Sequence, residues 1–242
     1  MKIRAVLDLS LIDYPGKIAA VVFVPGCDLR CPACHARPIL DETSLVNEED
    51  FLKRLSAARQ WINGVVLCGG EPARQEGLIP FIRRLKSEKL SVKLDTNGSS
   101  PEVLEHLLEE NLVDYAAMDV KAPRNLFANV SGTPASGMKA VEESIRVVAR
   151  FPDHEYRTTV VPVIRAGGEI SFLTAAEIRE TAGMIAELTG SGEHRYYLQK
   201  FVPRKGGLID ARLESFPETP RALLESMSRE AAQYLPKCAI RG

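Results

Sequence analysis

Three cysteines lie close together near the start of the chain, in a segment that can bind a metal. Cys27 and Cys31 are separated by three residues, and Cys31 and Cys34 by two. Three thiolates on one short loop can bind three irons of a 4Fe-4S cluster and leave the fourth iron open to a small chelating ligand. A closed structural zinc site instead requires four tetrahedral ligands, usually in two separated pairs. His35 adjoins Cys34 and reaches the same ion only with difficulty, so the spacing favours a cluster and leaves zinc as the alternative.

The composition excludes several other classes of protein. The formal net charge of -1 provides no basic field that would attract nucleic acid. No apolar run approaches the roughly 20 residues that cross a bilayer, and residues 1–11 lack the apolar core of a signal peptide. Five cysteines, an odd number with three clustered, indicate metal binding in a reducing compartment. We therefore expect a cytoplasmic protein that binds neither nucleic acid nor a membrane, in which Cys68 and Cys238 are small core residues.

Short apolar segments alternate along the chain with amphipathic segments. Compact runs rich in β-branched residues are typical of buried parallel strands, and apolar residues at helical spacing predict helices between them. The predicted strands are Ala19–Val24, Gly64–Leu67, Val92–Leu94, Tyr115–Val120, Tyr156–Val161 and Tyr196–Phe201. The predicted helices are Glu48–Arg59, Leu78–Lys86, Pro101–Glu110, Met138–Ala149, Ala175–Leu188 and Pro220–Tyr234, with Asn47, Ser100 and Thr174 at or beside N-caps.

These elements form repeated βα units of the α/β class. Such units build either an open doubly wound sheet or a barrel, and periodicity alone does not choose between them. No linker, internal repeat or low-complexity stretch divides the sequence. We therefore expect one domain over residues 1–242, with a core of about residues 17–202 and a C-terminal helix and short strand within residues 203–242.

Chemically distinctive clusters follow four successive predicted strands. The cysteine loop follows the first strand, and residues 68–72 (CGGEP) follow the second. Residues 95–98 (DTNG) follow the third strand, and residues 119–121 (DVK) lie at the end of the fourth. In a parallel sheet or barrel the carboxyl ends of the strands meet at one edge, where ligands bind. The four clusters are therefore expected to converge on one site.

Two of these motifs together resemble the signature of a known superfamily. The three clustered cysteines and residues 69–72 (GGEP) are similar to the motifs of the radical S-adenosylmethionine (SAM) superfamily. More narrowly, the chain resembles the glycyl-radical-enzyme activases, above all the anaerobic ribonucleoside-triphosphate reductase activating proteins and more distantly the pyruvate formate-lyase activating enzymes. This resemblance runs from about residue 10 to residue 121 and, more weakly, to the end. It rests on residues 13–16 (DYPG), 24–27 (VPGC), 34–35 (CH), 95–98 (DTNG) and 118–121 (MDVK).

The resemblance implies a fold and a reaction. The fold would be a partial (β/α)6 barrel of the TIM type, open at its side, with a 4Fe-4S cluster and SAM at its top. The reduced cluster in such enzymes passes an electron to the sulfonium of SAM, and the resulting 5′-deoxyadenosyl radical removes a hydrogen atom from the substrate. For an activase, that substrate is a glycine of a partner glycyl-radical enzyme, and flavodoxin or ferredoxin supplies the electron.

The resemblance also implies roles for individual residues, with Cys27, Cys31 and Cys34 as the cluster ligands. Glu71 would accept a hydrogen bond from the SAM amino group or from nearby backbone, or serve only as an acidic helix N-terminus. Lys121 would neutralise the SAM carboxylate or contact ribose, or be solvated. The residues expected to bind the cofactor are Ala33, His35, Gly69, Gly70, Glu71, Asp95, Asn97, Lys121 and Gln199.

A monovalent cation beside the SAM carboxylate is a further expectation from the pyruvate formate-lyase activase resemblance. Asp95, Thr96, Met118 and Asp119 would enclose it. Hard oxygen donors of this kind suit such an ion.

The chain departs from the activase pattern at two positions beside the cysteines. Ala33 stands where an aromatic residue is usual, and Ala36 stands where asparagine is usual. These differences leave cluster ligation untouched but bear on the SAM pocket and on the identity of the partner. Two other functions therefore stay open: a radical enzyme that modifies a small molecule, as the carboxy-deazaguanine synthases do, and a zinc-stabilised binding module.

Overall fold

The structure is a computed structural model that describes residues 1–40 and 43–241. Its strands are β1 (Ala5–Ser10), β2 (Ala19–Val24), β3 (Gly64–Gly69), β4 (Ser91–Thr96), β5 (Tyr115–Asp119), β6 (His154–Val160), β7 (Pro162–Ile164), β8 (Ile170–Phe172), β9 (Tyr196–Lys200) and β10 (Cys238–Arg241). Its α-helices are α1 (Glu48–Ala57), α2 (Leu78–Ser87), α3 (Pro101–Glu109), α4 (Phe127–Ser131), α5 (Met138–Val148), α6 (Ala175–Thr189) and α7 (Arg221–Ala231).

One eight-stranded sheet dominates the molecule, in the order β1-β2-β3-β4-β5-β6-β9-β10. Strand β1 is antiparallel to β2, and every other neighbouring pair in this sheet is parallel. The strand order never reverses, whereas a doubly wound sheet reverses at its switch point. Strands β1 and β10 form the two free edges, so the sheet is a barrel that remains open at its side. The predicted partial barrel of the α/β class is confirmed.

Both faces of the sheet are buried, which explains why its strands have nearly continuous apolar sequences. Side chains alternate between the faces along each strand. In β2, Ala20 and Val22 belong to the large core under the helices, whereas Ala19 and Val21 belong to a smaller cluster inside the barrel. Tyr115 of β5 lies in the same inner cluster. The barrel interior is therefore packed at its base, and the upper ends of the strands remain free to form a site.

The helices cover the outer face through apolar stripes. In α2, Leu78, Phe81, Ile82 and Leu85 are buried at the spacing of one helical face. Burial of each such side chain stabilises the fold by about 1.5–3 kcal/mol relative to exposure in water. Asn47 caps α1 by accepting hydrogen bonds from two backbone N–H groups. The boundaries of the predicted helices agree with the structure to within a few residues.

The structure adds elements that the sequence pattern did not predict. Strand β1 pairs only with β2 and exposes Leu7 and Leu9, so it lacks the apolar run of a buried strand. Strands β7 and β8 form a small antiparallel pair of their own. The run at Lys237–Arg241 contains β10, which is the short C-terminal strand that was predicted, and it extends the parallel sheet beyond β9. In the part of the chain that the structure describes, no helix has the length and apolarity that crossing a membrane would require.

Candidate active site

A cavity of about 210 Å³ lies at the carboxyl ends of β2, β3, β4 and β5. Each of the four sequence clusters contributes to its wall, as the parallel arrangement of the strands predicts. Arg157 of β6, which the sequence analysis did not single out, completes the wall. The predicted site residues that line the cavity are Cys27, Cys31, Cys34, Gly69, Gly70, Glu71, Asp95, Thr96, Asn97, Asp119 and Lys121.

A second cavity of about 270 Å³ adjoins the first. The two share wall residues, including Cys31, Cys34 and Lys121. Ala33 and His35 line only the second cavity. The ring of His35 stacks on Phe201, with ring centroids 5.5 Å apart. The cysteine loop therefore separates two connected spaces and presents side chains to both.

The cysteine loop is fixed to the rest of the barrel by backbone hydrogen bonds. Gly26 begins the loop with a positive φ of 70°, a conformation that favours glycine. Its carbonyl accepts from the N–H of Glu71 at 2.8 Å. Further along, the N–H of Arg30 donates to the carbonyl of Ser131 at 3.0 Å. The loop is thus tied both to the turn after β3 and to the end of α4.

The three thiols of the cysteine loop all line the first cavity. Within residues 1–40 and 43–241, no three side chains of His, Cys, Asp or Glu converge closely enough to hold one ion. A zinc site needs four such ligands, whereas each cysteine of a 4Fe-4S site binds a different iron. Burial raises the pKa of Cys27 to about 12 and also raises that of Cys31. Without metal these two thiols retain their protons at neutral pH, and metal binding must displace them.

The turn formed by Gly69 and Gly70 packs directly against the start of the cysteine loop. A Cβ atom on Gly70 would lie 1.6 Å from the carbonyl oxygen of Gly26. A Cβ atom on Gly69, whose φ is +107°, would lie 2.7 Å from the backbone nitrogen of Val24. The two glycines are therefore required for close approach between protein loops, a reason distinct from the approach of a ligand that the resemblance implies.

Glu71 lies beneath the cavity with only 1% of its surface exposed. Its Oε1 accepts hydrogen bonds from the N–H of Ala73 at 3.0 Å and from the hydroxyl of Thr96 at 2.7 Å. Its Oε2 accepts from the N–H of Asn97 at 2.7 Å. Burial raises the pKa of Glu71 to about 7, against the opposing effect of these hydrogen bonds. Both carboxylate oxygens are thus engaged by neighbouring loops, in line with the expected contact to nearby backbone.

Asn97 connects its own loop to the cysteine loop. Its Nδ2 lies 3.0 Å from Oδ1 of Asp28 and 3.6 Å from Sγ of Cys27. Its Oδ1 accepts from the N–H of Ser99 at 2.8 Å, as is typical of an asparagine in a turn. The amide therefore contacts a predicted cluster ligand directly.

Positively and negatively charged side chains alternate in a row along the floor of the first cavity. Arg157 donates from Nε to Asp119 and from Nη1 to Asp95, each at 2.9 Å. Lys121 donates to the other oxygen of Asp119 at 2.9 Å, and Lys93 donates to the other oxygen of Asp95. The positive neighbours outweigh the effect of burial and lower the pKa of both carboxyl groups. Both aspartates are therefore ionised at neutral pH.

The comparisons with known proteins agree with this geometry. Residues 21–188 match the family model for the radical SAM superfamily. The chain belongs to the radical SAM superfamily. Membership implies a 4Fe-4S cluster and SAM, and the three-cysteine donor set and the adjoining cavities of this radical SAM enzyme fit both groups.

Three relatives and one solved structure give the range of similarity. A Methanocaldococcus jannaschii protein named "Putative glycyl-radical enzyme activating enzyme" is 28% identical over 99% of this chain and 95% of its own length. The Escherichia coli K12 pyruvate formate-lyase 1-activating enzyme is 32% identical over 50% of this chain and 52% of its own length. A Hyperthermus butylicus 7-carboxy-7-deazaguanine synthase is 28% identical over 79% of this chain and 72% of its own. A spore photoproduct lyase mutant superposes with a TM-score of 0.63 at 14% identity, covering 98% of this chain and 80% of that chain.

Two residues that the sequence analysis expected at the site of this radical SAM enzyme line neither of the two cavities. Met118 is fully buried in the large core, with its thioether against Gly98, and lines neither cavity. Gln199 also lines neither cavity, and its Oε1 lies 3.5 Å from the hydroxyl of Thr159, which lines the second. Cys68 packs against the inner core cluster, as predicted, and it also lines the first cavity.

Arg157 is the principal site residue that the sequence analysis missed. It belongs to β6, where Glu155, Arg157 and Thr159 occupy every second position. Their side chains therefore point to the same inner side of the barrel. This alternation of charged and polar residues within a strand that has to be buried on both faces was a usable signal. Arg157 belongs to none of the four motifs on which the predicted site rests.

Proposed function

We propose that this radical SAM enzyme is a glycyl-radical-enzyme activase. The observation that carries the proposal is the similarity to the M. jannaschii protein, which extends along 99% of this chain and 95% of that relative. The open side of the barrel, between β1 and β10, supports it because a protein segment can enter there. The partner would be a glycyl-radical enzyme such as an anaerobic ribonucleotide reductase.

The proposed roles follow the walls of the two cavities. Cys27, Cys31 and Cys34 would hold the cluster through one iron each, which would leave the fourth iron open to SAM. Lys121 has three N–H donors, of which Asp119 uses one, so it can also balance the SAM carboxylate. The second cavity, with Ala33 and His35 in its wall, takes the nucleoside part.

The reaction that we assign to this site needs one electron and one hydrogen atom per turnover. When bound, the cluster and SAM together supply the 5′-deoxyadenosyl radical, with methionine as the other product. The target glycine gives up its α-hydrogen to form 5′-deoxyadenosine and is left as the radical. A flavodoxin or ferredoxin provides the electron, and the polypeptide holds the reactants and excludes water.

A radical SAM enzyme that modifies a small molecule is the second candidate. The H. butylicus synthase supports it, since the match covers 79% of this chain. The charged inner wall formed by Arg157 and its neighbours can also bind a small polar substrate. The M. jannaschii match covers more of both proteins, and on that basis we favour the activase.

Anaerobic incubation of the reconstituted protein with SAM and dithionite tests the proposal. We expect 5′-deoxyadenosine from the wild type and none from Cys31→Ala, because a cluster with two thiolates is lost or inactive. Cys238→Ala, a cysteine outside the cavities, is the matched control and should retain the product. Addition of the host's anaerobic ribonucleotide reductase should then produce a glycyl-radical signal in electron paramagnetic resonance (EPR). Cleavage of SAM without that signal, in the presence of every glycyl-radical enzyme of the host, would contradict the activase assignment.

A further inference from the structure

All four oxygens of the two carboxylates assigned to a monovalent cation are already engaged by positively charged groups. Each of the four oxygens of Asp95 and Asp119 accepts a hydrogen bond from a positively charged side chain. Lys93 and Arg157 share Asp95, and Arg157 and Lys121 share Asp119. The guanidinium of Arg157 lies between the two carboxylates and bridges them, with a hydrogen bond of 2.9 Å to each.

The remaining predicted ligands are also engaged elsewhere. The hydroxyl of Thr96 donates to Glu71 at 2.7 Å and accepts from the N–H of Gly98 at 3.1 Å. The thioether of Met118 is packed in the core. Alkali and alkaline-earth cations require several oxygen ligands around one point. The side chains of Asp95, Thr96, Met118 and Asp119 therefore do not fit a bound cation.

The charge balance of the floor leads to the same conclusion. Three positive side chains, Lys93, Arg157 and Lys121, already face the two aspartates. Glu155 is the next acidic group, with Oε1 3.9 Å from Nη1 of Arg157, but Arg241 holds both of its oxygens. A further cation would add to an excess of positive charge. The side chain of Arg157 is only 10% exposed, so solvent screens that repulsion little.

We infer that Arg157 takes the place of the monovalent cation as a built-in positive charge. It is a positioning residue: it holds Asp95 and Asp119 at the cavity floor, and Asp119 in turn orients Lys121 toward the cavity. The inference concerns the same site as the proposed function and deepens it. Of the two experiments that follow, only the second depends on the proposed function. SAM binding and cleavage by this chain therefore require neither sodium nor potassium.

Sodium-23 NMR relaxation on the cluster-free protein tests the inference without reference to catalysis. We expect no saturable line broadening with the wild type. Arg157→Gln removes the bridging charge and frees one oxygen of each aspartate, and the glutamine amide oxygen supplies a third ligand, so this variant should bind sodium saturably and release it to potassium. Arg83→Gln, at an exposed arginine paired with Glu110, is the matched control and should behave as the wild type. Saturable sodium binding by the wild type, or none by Arg157→Gln, would overturn the inference. If Arg157→Gln does not fold, the wild-type titration still decides.

Cleavage of SAM in different salts provides the second readout. The wild type should form 5′-deoxyadenosine equally fast in potassium and in tetramethylammonium salts of equal ionic strength. Arg157→Gln should be slower by about tenfold or more in tetramethylammonium and should recover in potassium, as is typical of lost support around a site. A wild type that depends strongly on potassium contradicts the inference. Absence of 5′-deoxyadenosine in every salt would instead count against the proposed function, while the sodium titration would still decide on Arg157.

Discussion

Glu71 connects two strand-end loops at the floor of the site through one buried carboxylate. Its hydrogen-bond donors are the N–H groups of Ala73 and Asn97 and the hydroxyl of Thr96. A buried donor that loses its acceptor costs more than the net value of the hydrogen bond itself. The residue therefore contributes to the fold of the site even without a ligand.

Glu71→Gln replaces one of these acceptor oxygens by an NH2 group. At least one of the three donors then faces another donor, so we expect the free energy of unfolding to fall by about 1–3 kcal/mol. Guanidinium denaturation of the cluster-free protein measures the change. Glu76→Gln, at an exposed position in the same segment, is the matched control and should have little effect. Equal stability of the two variants would show that the Glu71 hydrogen bonds are dispensable.

For individual residues, the sequence predicts which side chains lie near the site. It does not predict their hydrogen-bond partners. Loop positions follow from strand ends, so the cysteines, the Gly69-Gly70 turn and Asn97 could be brought together from the sequence. The partners of Glu71 and Arg157 could not be predicted in this way. Asn97 is 26 positions from Glu71, and Asp95 is 62 positions from Arg157, and no local pattern encodes such distances.

The close contact between the turn after β3 and the cysteine loop makes these two segments one unit. Gly70→Ala would force a Cβ atom against backbone, 1.6 Å from the oxygen of Gly26, where no side chain can yield. We expect a loss of stability of at least about 3 kcal/mol together with loss of bound iron after reconstitution, because the cysteine loop has to move.

Thermal unfolding and iron analysis of the same preparation measure both effects of Gly70→Ala. Gly183→Ala is the matched control, since its Cβ would meet Tyr234 at an ordinary 3.5 Å and a helix favours alanine. It should keep wild-type iron and at least wild-type stability. Normal iron content in Gly70→Ala would show that the Gly69-Gly70 turn does not determine the geometry of the cluster site, which would contradict this account.

A histidine pair joins β6 to the segment before β9. Nε2 of His154 lies 2.8 Å from Nδ1 of His194, and burial lowers the pKa of both rings. The unfolded chain binds protons near pH 6.5, where the folded pair does not, so the stability that the neutral pair contributes is present above pH 6.5. It should be lost as the pH falls below that value.

Urea denaturation from pH 7.5 to pH 5.5 tests the histidine pair. We expect the free energy of unfolding of the wild type to decrease over this range, and a double variant with His154→Gln and His194→Gln to show a smaller decrease. His106→Gln, at a half-buried histidine outside this pair, is the comparison variant. An unchanged slope in the double variant would contradict the assignment.

Element boundaries were predictable where local chemistry sets them. The range of β2 is identical in sequence and structure, and Asn47 and Thr174 cap their helices as predicted. Ser100 occupies an N-cap position, but its hydroxyl makes no hydrogen bond there. Strands β1, β7 and β8 were missed because two of them have three residues each and the third is an edge strand with exposed leucines.

The whole barrel has a polar wall that continues from the site to the C-terminal strand. Arg241 of β10 donates from both Nη atoms to Glu155 at 2.7 and 2.9 Å. Glu155 is fully buried and also accepts from the hydroxyl of Tyr115. The last strand is thereby held to the barrel interior by charge as well as by backbone pairing.

Arg241→Ala removes the positive side chain that is nearest to the buried carboxylate of Glu155. Arg157, whose Nη1 lies 3.9 Å away, then remains as the nearest one. We expect a loss of about 1–3 kcal/mol in the free energy of unfolding, because the buried carboxylate loses a charged hydrogen-bond donor that is itself only partly buried. The double variant with Glu155→Gln should recover part of that loss. Denaturation of the single and double variants measures the difference. Absence of recovery would show that packing rather than charge holds β10.

Periodicity predicted the βα repeat of the molecule but did not choose between sheet and barrel. The order of strands decided it, and that order depends on contacts between strands that the local pattern does not contain. The short strand near the C-terminus was predicted, but its place beside β9 was not, because that place depends on the same contacts between strands. The radical SAM resemblance, which rests on motif spacing, gave the barrel where periodicity could not.

The central claim is that three cysteines hold a 4Fe-4S cluster whose open iron binds SAM. The most direct measurement is EPR of the anaerobically reconstituted and reduced protein, before and after SAM is added, with iron and sulfide determined on the same sample. We predict about four irons and four sulfides per chain and a signal that changes when SAM binds. One zinc per chain, or a four-iron signal that SAM does not alter, would contradict the account.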